Sequence, residues 1–347
     1  MKRWTMFLTL ALCIFCMTVL TGCGGQRDNK VGGKPAQTVA ALFPESSEIW
    51  QRSGIAMQIG LEKEGFLVDL RFARTADEQT EQFRDAVAKK PVAIIIGAVD
   101  GDALKDALAE AAKQNIPVIA YDRLIMNSSH ISYFVGYDSK EIGRSQARSI
   151  ERALRLKETP GSDNIEIFAG DPKDNNAHLF YEGAMEILQP YLDKGRIAIP
   201  SDEKSFEKTA TNDWNPQNAK VRMGRILQLT YANERPLSAV LSPNDNLAIG
   251  IREALDMYSN GAWPFITGLD ASPEGVRAVA ADRQGMTIDK PPLLPVRECQ
   301  RLVKDIASGQ SVPSSTKLNN GMRDVPAFLC KAAVIYKNNL ESVHWAQ

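Results

Sequence analysis

Residues 165–183 read IEIFAGDPKDNNAHLFYEG. Ile165 to Ala169 is a short apolar run rich in β-formers, and Gly170-Asp171-Pro172 ends it, so a buried strand meets a turn. Asp174, Asn175 and Asn176 then stand where a helix begins, ahead of the apolar-periodic Leu179, Phe180, Met185 and Leu188. Polar side chains are thus massed at the carboxyl end of a strand, the place where an open α/β sheet binds its ligands. Asp174 or Asn175 also suits a helix cap. A cap needs one such residue, however, and here three follow one another.

The same strand-then-helix rhythm runs outward in both directions. Strands are expected at 38–43, 68–73, 92–97, 117–121, 131–135, 165–169, 238–241, 265–268 and 286–288. Helices are expected at 46–64, opened by Ser46, and at 77–89, 101–114, 140–154, 176–192, 216–231, 247–258 and 273–282. Strands alternating with helices of this length mean βαβ units and parallel sheet. So many strands exceed one comfortable sheet, so the fold class is α/β with two doubly wound lobes.

The chain opens with Lys2 and Arg3, then an apolar run from Met6 to Leu20 that is short for a membrane span and ends in Leu20-Thr21-Gly22-Cys23. This reads as a secretory signal over 1–22 and resembles the signals of bacterial lipoproteins, in which Cys23 is the lipidated first residue. Residues 23–35 are glycine-rich and polar, a flexible tether reaching about 20 Å. The function is therefore expected outside the cytoplasm, anchored to a membrane by lipid rather than spanning it. A net charge of −1 with 44% apolar residues carries no nucleic-acid footprint. Only Cys299 and Cys330 remain beyond the signal and the lipid site; they suit either a disulfide or two buried thiols.

Polar clusters fall at corresponding places. Tyr121-Asp122-Arg123 follows one strand, Ser242-Pro243-Asn244-Asp245 another, Gly268-Leu269-Asp270 a third and Asp289-Lys290 a fourth. Each lies at a strand's carboxyl end, where facing lobes enclose a cleft. Carboxylate, amide, guanidinium and ammonium are the groups that pair with hydroxyls, which both donate and accept. Trp50 and Trp214 offer flat apolar faces for the C–H side of a sugar ring, or for the core. Any single cluster is also explained by turn chemistry. Their shared topological position is not.

The segments VIAYDRLI, GDPKDNNAHLFYEGAMEIL, DWNPQNA, LSPNDNLAIGI, TGLDAS and MTIDK, in this order over nearly the whole chain, resemble the periplasmic solute-binding proteins of the ribose-binding superfamily, in its xylose-binding and multiple-sugar-binding branches. The resemblance implies two α/β lobes joined by three crossovers that close on a monosaccharide. It sets the lobes at 36–128 plus 289–312 and at 129–288 plus 313–347. It implies that Arg123 meets the ring oxygen or a hydroxyl, that Asp174 and Asn176 are hydroxyl partners and that Trp214 is the stacking platform. Asn244, Asp270 and Lys290 complete a polar ring, and Trp50 is the first-lobe aromatic. One position departs from the pattern: Ile49 stands where the family carries an arginine beside the tryptophan. Asp100 matches the multiple-sugar type, with its contact to ligand left open.

No G-x-G-x-x-G follows the first strand, and the three histidines, His130, His178 and His344, form no nucleophile–base pattern, so no enzyme and no cofactor are expected. A repressor of the same fold needs a helix-turn-helix where this chain carries its export signal. The expected partners are a monosaccharide and an ABC transporter permease, bound by a monomer. A sensory receptor in place of the permease, or a signalling furanose or nucleoside in place of the sugar, is the alternative.

Overall fold

The computed structural model describes residues 36–344 apart from 46–47, 159, 233–234, 260–261 and 315. The signal segment, the tether with Cys23, and Ser46 lie outside the described residues.

In chain order the elements are β1 Thr38–Pro44, α1 Glu48–Lys63, β2 Leu67–Ala73, α2 Ala76–Ala88, β3 Ala93–Ile96, α3 Lys105–Lys113, β4 Val118–Tyr121, β5 Tyr133–Tyr137, α4 Ser139–Ala153, β6 Asp163–Ile167, α5 Asn175–Asp193, β7 Ile197–Ala198 and α6 Phe206–Thr209. There follow α7 Pro216–Thr230, β8 Ala239–Leu241, α8 Asp245–Tyr258, β9 Phe265–Ile266, α9 Pro273–Ala280, β10 Thr287–Asp289, α10 Leu293–Ala307, β11 Thr316–Asn319, β12 Asp324–Cys330 and β13 Ala333–Ile335.

The first sheet has the order β11-β12-β5-β4-β3-β1-β2 and is parallel except for the edge strand β11. Its inner strands are apolar without interruption, as in Ala93-Ile94-Ile95-Ile96, because helices cover both faces. Alternate residues serve the two sides. Ala40, Leu42, Ile94 and Ile96 pack with Phe83 of α2 and Leu108 of α3, whereas Val39, Ala41, Phe43 and Ile95 pack with Met57 of α1 and Leu302 of α10. The second sheet, β7-β6-β8-β9, is wholly parallel. Helices α4 and α5 line one of its faces, through Ala147, Ile150, Ala184 and Leu188. Helices α7 and α8 line the other, through Met223, Ile226, Leu247 and Ile251. Both lobes are therefore doubly wound.

The chain crosses between the lobes three times: from β5 to α4 at Tyr137–Ser139, from β10 to α10 at Asp289–Leu293, and from β12 to β13 at Cys330–Ala333; β10 and β13 pair antiparallel as a separate two-stranded sheet on the second lobe. Two of these positions correct the expected lobe limits. The strand expected at 131–135 to open the second lobe is β5, which sits between β4 and β12 in the first sheet. Its sequence, Tyr-Phe-Val-Gly-Tyr, has the uninterrupted apolar character of an interior parallel strand. Residues 316–330, assigned to the second lobe, form β11 and β12 of the first, joined by a turn in which Gly321 holds φ +87°. Cys299 and Cys330 are both free thiols, the former buried and the latter half-buried.

Candidate functional site

Helix α5 starts at Asp174, whose Oδ1 accepts from the backbone N–H of Asn176 at 2.9 Å, so the carboxylate does cap the helix. Its second oxygen, Oδ2, lies 2.9 Å from Nε of Arg123, which follows β4 on the other lobe. One side chain therefore serves both readings of the 174–176 cluster. Asp174 is only 6% exposed, and burial pushes its carboxyl above the usual range while the Arg123 charge and the Asn176 N–H draw it back.

Arg123 is aimed by its own lobe. Nη1 donates to the Ala98 carbonyl at 2.8 Å, and the guanidinium stands 5.2 Å from the centre of the Trp50 ring. Nε has charge contact with Asp174, yet its hydrogen is not directed at any acceptor among the described residues. Trp50 is 7% exposed and packs on Phe43 and Tyr121, with Gly97 beneath it, where an added Cβ would lie 2.7 Å from the indole. It is thus a core residue that also faces the Arg123 guanidinium. Ile49, one residue earlier on α1, is 36% exposed and offers no charge there.

A second polar group surrounds Lys290, just past β10. Its Nζ lies 3.6 Å from Asp122 and 3.4 Å from Asp270, and 5.8 Å from the centre of the Tyr137 ring. Burial pulls this ammonium's pKa down, but the two carboxylates outweigh it and hold Lys290 above its ordinary value. Asp122 and Asp270 both take positive φ, 61° and 90°, which turns their side chains out of the strand direction and toward the lysine. Asn176 bridges the lobes: Nδ2 donates to the Asp122 carbonyl at 3.0 Å, and Oδ1 accepts from Ser139 at 2.8 Å. Asp289, named beside Lys290 in the sequence, points the other way and binds the N–H and ring of His344.

Trp214 sits in a 3-10 turn, Asn212–Trp214, with φ 51°, against Phe180 at 6.4 Å. Gly170 makes its seat, since a Cβ there would come within 2.0 Å of the indole. Asn244 caps α8 through Oδ1, which accepts from Leu247 N–H at 2.9 Å, and its Nδ2 has no protein partner among the described residues. Two contributors were not singled out in the sequence. Asp122 was named only within the Tyr121-Asp122-Arg123 cluster, with no role apart from Arg123. Gln146, buried on the apolar stripe of α4 between Ile142 and Ile150, donates to the carbonyls of Ser242, Pro243 and Gly268 and so fixes the strand ends that carry Asn244 and Asp270. A lone amide on an apolar stripe was the available signal.

A cavity of about 430 Å³ opens beside this network. Arg123 and Asp174 form part of its wall, but Trp50, Asn176, Trp214, Asn244, Asp270 and Lys290 do not line it. Among the described residues no group of three or more His, Cys, Asp or Glu is arranged to hold a metal ion.

Two lobes hinged on three crossings, with donors of one meeting acceptors of the other at strand ends, define a solute-binding protein. The chain belongs to the family described as the periplasmic binding protein domain, whose profile matches residues 44–311. It is 35% identical over 309 residues to a multiple sugar-binding periplasmic protein of Azospirillum brasilense, covering 87% of this chain and 86% of that one. It is 30% identical over 295 residues to the D-xylose-binding periplasmic protein of Escherichia coli, covering 85% and 84%. The crystal structure of an ABC transporter solute-binding protein from Clostridium phytofermentans with bound β-D-glucose superposes with a TM-score of 0.85 at 35% identity, over 88% of this chain and 95% of that one. By membership the protein is a binding protein and not an enzyme.

Proposed function

We propose that this protein closes its two lobes on a monosaccharide, xylose-like or glucose-like, outside the cytoplasm and delivers it to an ABC sugar transporter, acting as a monomer held to the membrane by lipid at Cys23. The observation that carries the reading is the Arg123–Asp174 contact, in which charged groups at strand ends of opposite lobes meet at 2.9 Å. A sugar needs donors and acceptors on several sides at once, which only approaching lobes provide. Arg123, Asp174, Asn176, Asn244, Asp270 and Lys290 are its polar partners, with Trp214 as platform and Trp50 as floor. The relatives named for sugars, and the glucose bound in a structure of the same fold, support this choice of ligand. Among the described residues no helix is long and apolar enough to cross a membrane.

A panel of aldoses tested by thermal shift and calorimetry checks the proposal. One or a few should bind one to one without turnover, and a hundredfold excess over Kd should add about 2.7 kcal/mol of stability. No shift with any monosaccharide at millimolar concentration would sink it.

A further inference from the structure

The cavity beside the polar ring is walled by both lobes and reaches the ring only at Arg123 and Asp174. We propose that it is a second compartment of the binding site, which receives the outer unit of a disaccharide or other glycoside whose first sugar occupies the polar ring; this deepens and rests on the sugar-binding reading above.

Three observations carry it. At about 430 Å³ the cavity lies within the ~300–1,000 Å³ typical of small-molecule sites, so it is large enough for a ligand in its own right. Its lining suits a sugar unit. Leu124, Ile125 and Met126 give an apolar side for a ring's C–H face. Asp100 contributes a carboxylate whose Oδ1 alone is engaged, by the Asp102 N–H, and Lys173 an ammonium with no partner among the described residues. Carboxylates and cations are mixed, which favours neutral hydroxyls over an anion. Finally, the doorway has the right polarity. Arg123 Nε is a buried donor whose hydrogen meets no acceptor among the described residues, although Asp174 Oδ2 lies 2.9 Å away. A glycosidic oxygen carries no hydrogen and can only accept. Such an oxygen, like that of a hydroxyl, can take this donor where the two compartments meet.

Calorimetry on the full mature protein, with D-glucose and D-xylose beside their disaccharides cellobiose and xylobiose, tests this in the wild type and two variants. Lys173→Ala removes a group that lines only the cavity. Gly101→Leu fills the cavity from a backbone with ordinary φ, −69°, its Cβ pressing on the Ile125 side chain at 3.2 Å. The wild type should bind a monosaccharide and the matching disaccharide, each one to one. Disaccharide affinity should fall about fivefold in Lys173→Ala and about tenfold in Gly101→Leu, with monosaccharide affinity changed by less than about twofold. A selective loss of the disaccharide in either variant supports the second compartment. Binding of monosaccharides but of neither disaccharide overturns it and leaves the sugar-binding reading standing. Equal weakening of both ligands, or no change for either in both variants, also overturns it. Failure of all four sugars to bind the wild type overturns both readings.

Discussion

Arg123 and Asp174 touch across the cleft, but each is oriented by its own lobe first. Arg123 is tied to the Ala98 carbonyl and lies by Trp50, and Asp174 is tied to the N–H of Asn176. An opening of the lobes would break this contact, together with the Asn176–Asp122 bridge, and leave both side chains aimed. Such preorganisation lowers the ordering penalty when a ligand joins the two halves. The contact is a charge pair largely away from bulk water, where a charge-assisted contact is stronger than at the surface.

Replacing Arg123 by alanine should lower sugar affinity by at least about thirtyfold, equivalent to ~2 kcal/mol or more, because a buried carboxylate loses its counter-charge and the sugar oxygens their charged donor together. Ile49 supplies no second guanidinium. The control is Arg144→Ala, whose ion pairs run to Glu186 and Glu141 on the outer faces of α4 and α5. Pairs of that kind contribute at most about 1 kcal/mol to stability, and affinity should not move. Small-angle scattering should show the wild type contracting on sugar addition and Arg123→Ala doing so only at much higher concentration. Equal affinity in the two proteins would reject the role given to Arg123.

Gly170→Ala should mimic the loss of Trp214. The added methyl would sit 2.0 Å from Cη2 and within 2.4 Å of two more indole atoms, so the ring must leave its place rather than flex one end. Tryptophan emission should shift, and sugar affinity should drop by about tenfold as the stacking face is lost. Unchanged affinity together with a displaced indole would remove Trp214 from the binding surface.

The two-lobed α/β architecture was legible because parallel strands buried on both faces write themselves as short apolar runs, and caps such as Asp174 and Asn244 mark the helix starts. The stretch beyond Lys290 was not read. Helix α10 there carries a buried stripe of Val296, Cys299, Leu302 and Val303, yet no residue at its start makes a side-chain cap; β11 is a half-exposed edge strand, and β12 and β13 take β5 and β10 as partners from far away in sequence. The misplaced crossings have the same origin. Nothing within β5 tells whether its neighbours are β4 and β12 or the strands of the other lobe; that is a matter of tertiary pairing. At the site, Arg123, Asp174, Asp270 and Lys290 were visible as charges at strand ends. Their pairing was not, since Lys290 meets Asp122 from 168 positions away only through the fold.

Cys23→Ser should leave sugar binding unchanged and release the protein from the membrane fraction. An acyl chain contributes ~0.8 kcal/mol per buried CH₂ to partitioning, so its loss removes the anchor that the tether extends from. Fractionation of cells producing each form is the measurement. A variant that stays in the membrane pellet would point to an anchor elsewhere.

The last expectation concerns pH. Asp245 is 1% exposed behind the strand ends, accepting from Gln284 Nε2 at 2.7 Å and from the Ser272 N–H at 2.8 Å, and those bonds hold the turn that presents Asp270. Burial pushes its carboxyl up to about 7, against the opposing hydrogen bonds of Gln284 and Ser272 and with a further push from the charge on Asp270. In the unfolded chain the same group ionises near 3.8. Between these values the folded protein keeps a proton that the unfolded chain has released, so this group's contribution to stability falls as pH rises through that window and is level above it. Asparagine at 245 has no proton to lose. Asp245→Asn should start less stable, because its amide cannot accept from both donors, but its Tm should decline less from about pH 4.5 to about pH 7.5 than that of the wild type. Burial also raises Asp174, so the variant retains part of the slope. Parallel Tm profiles for the two proteins would show that Asp245 does not titrate in this range.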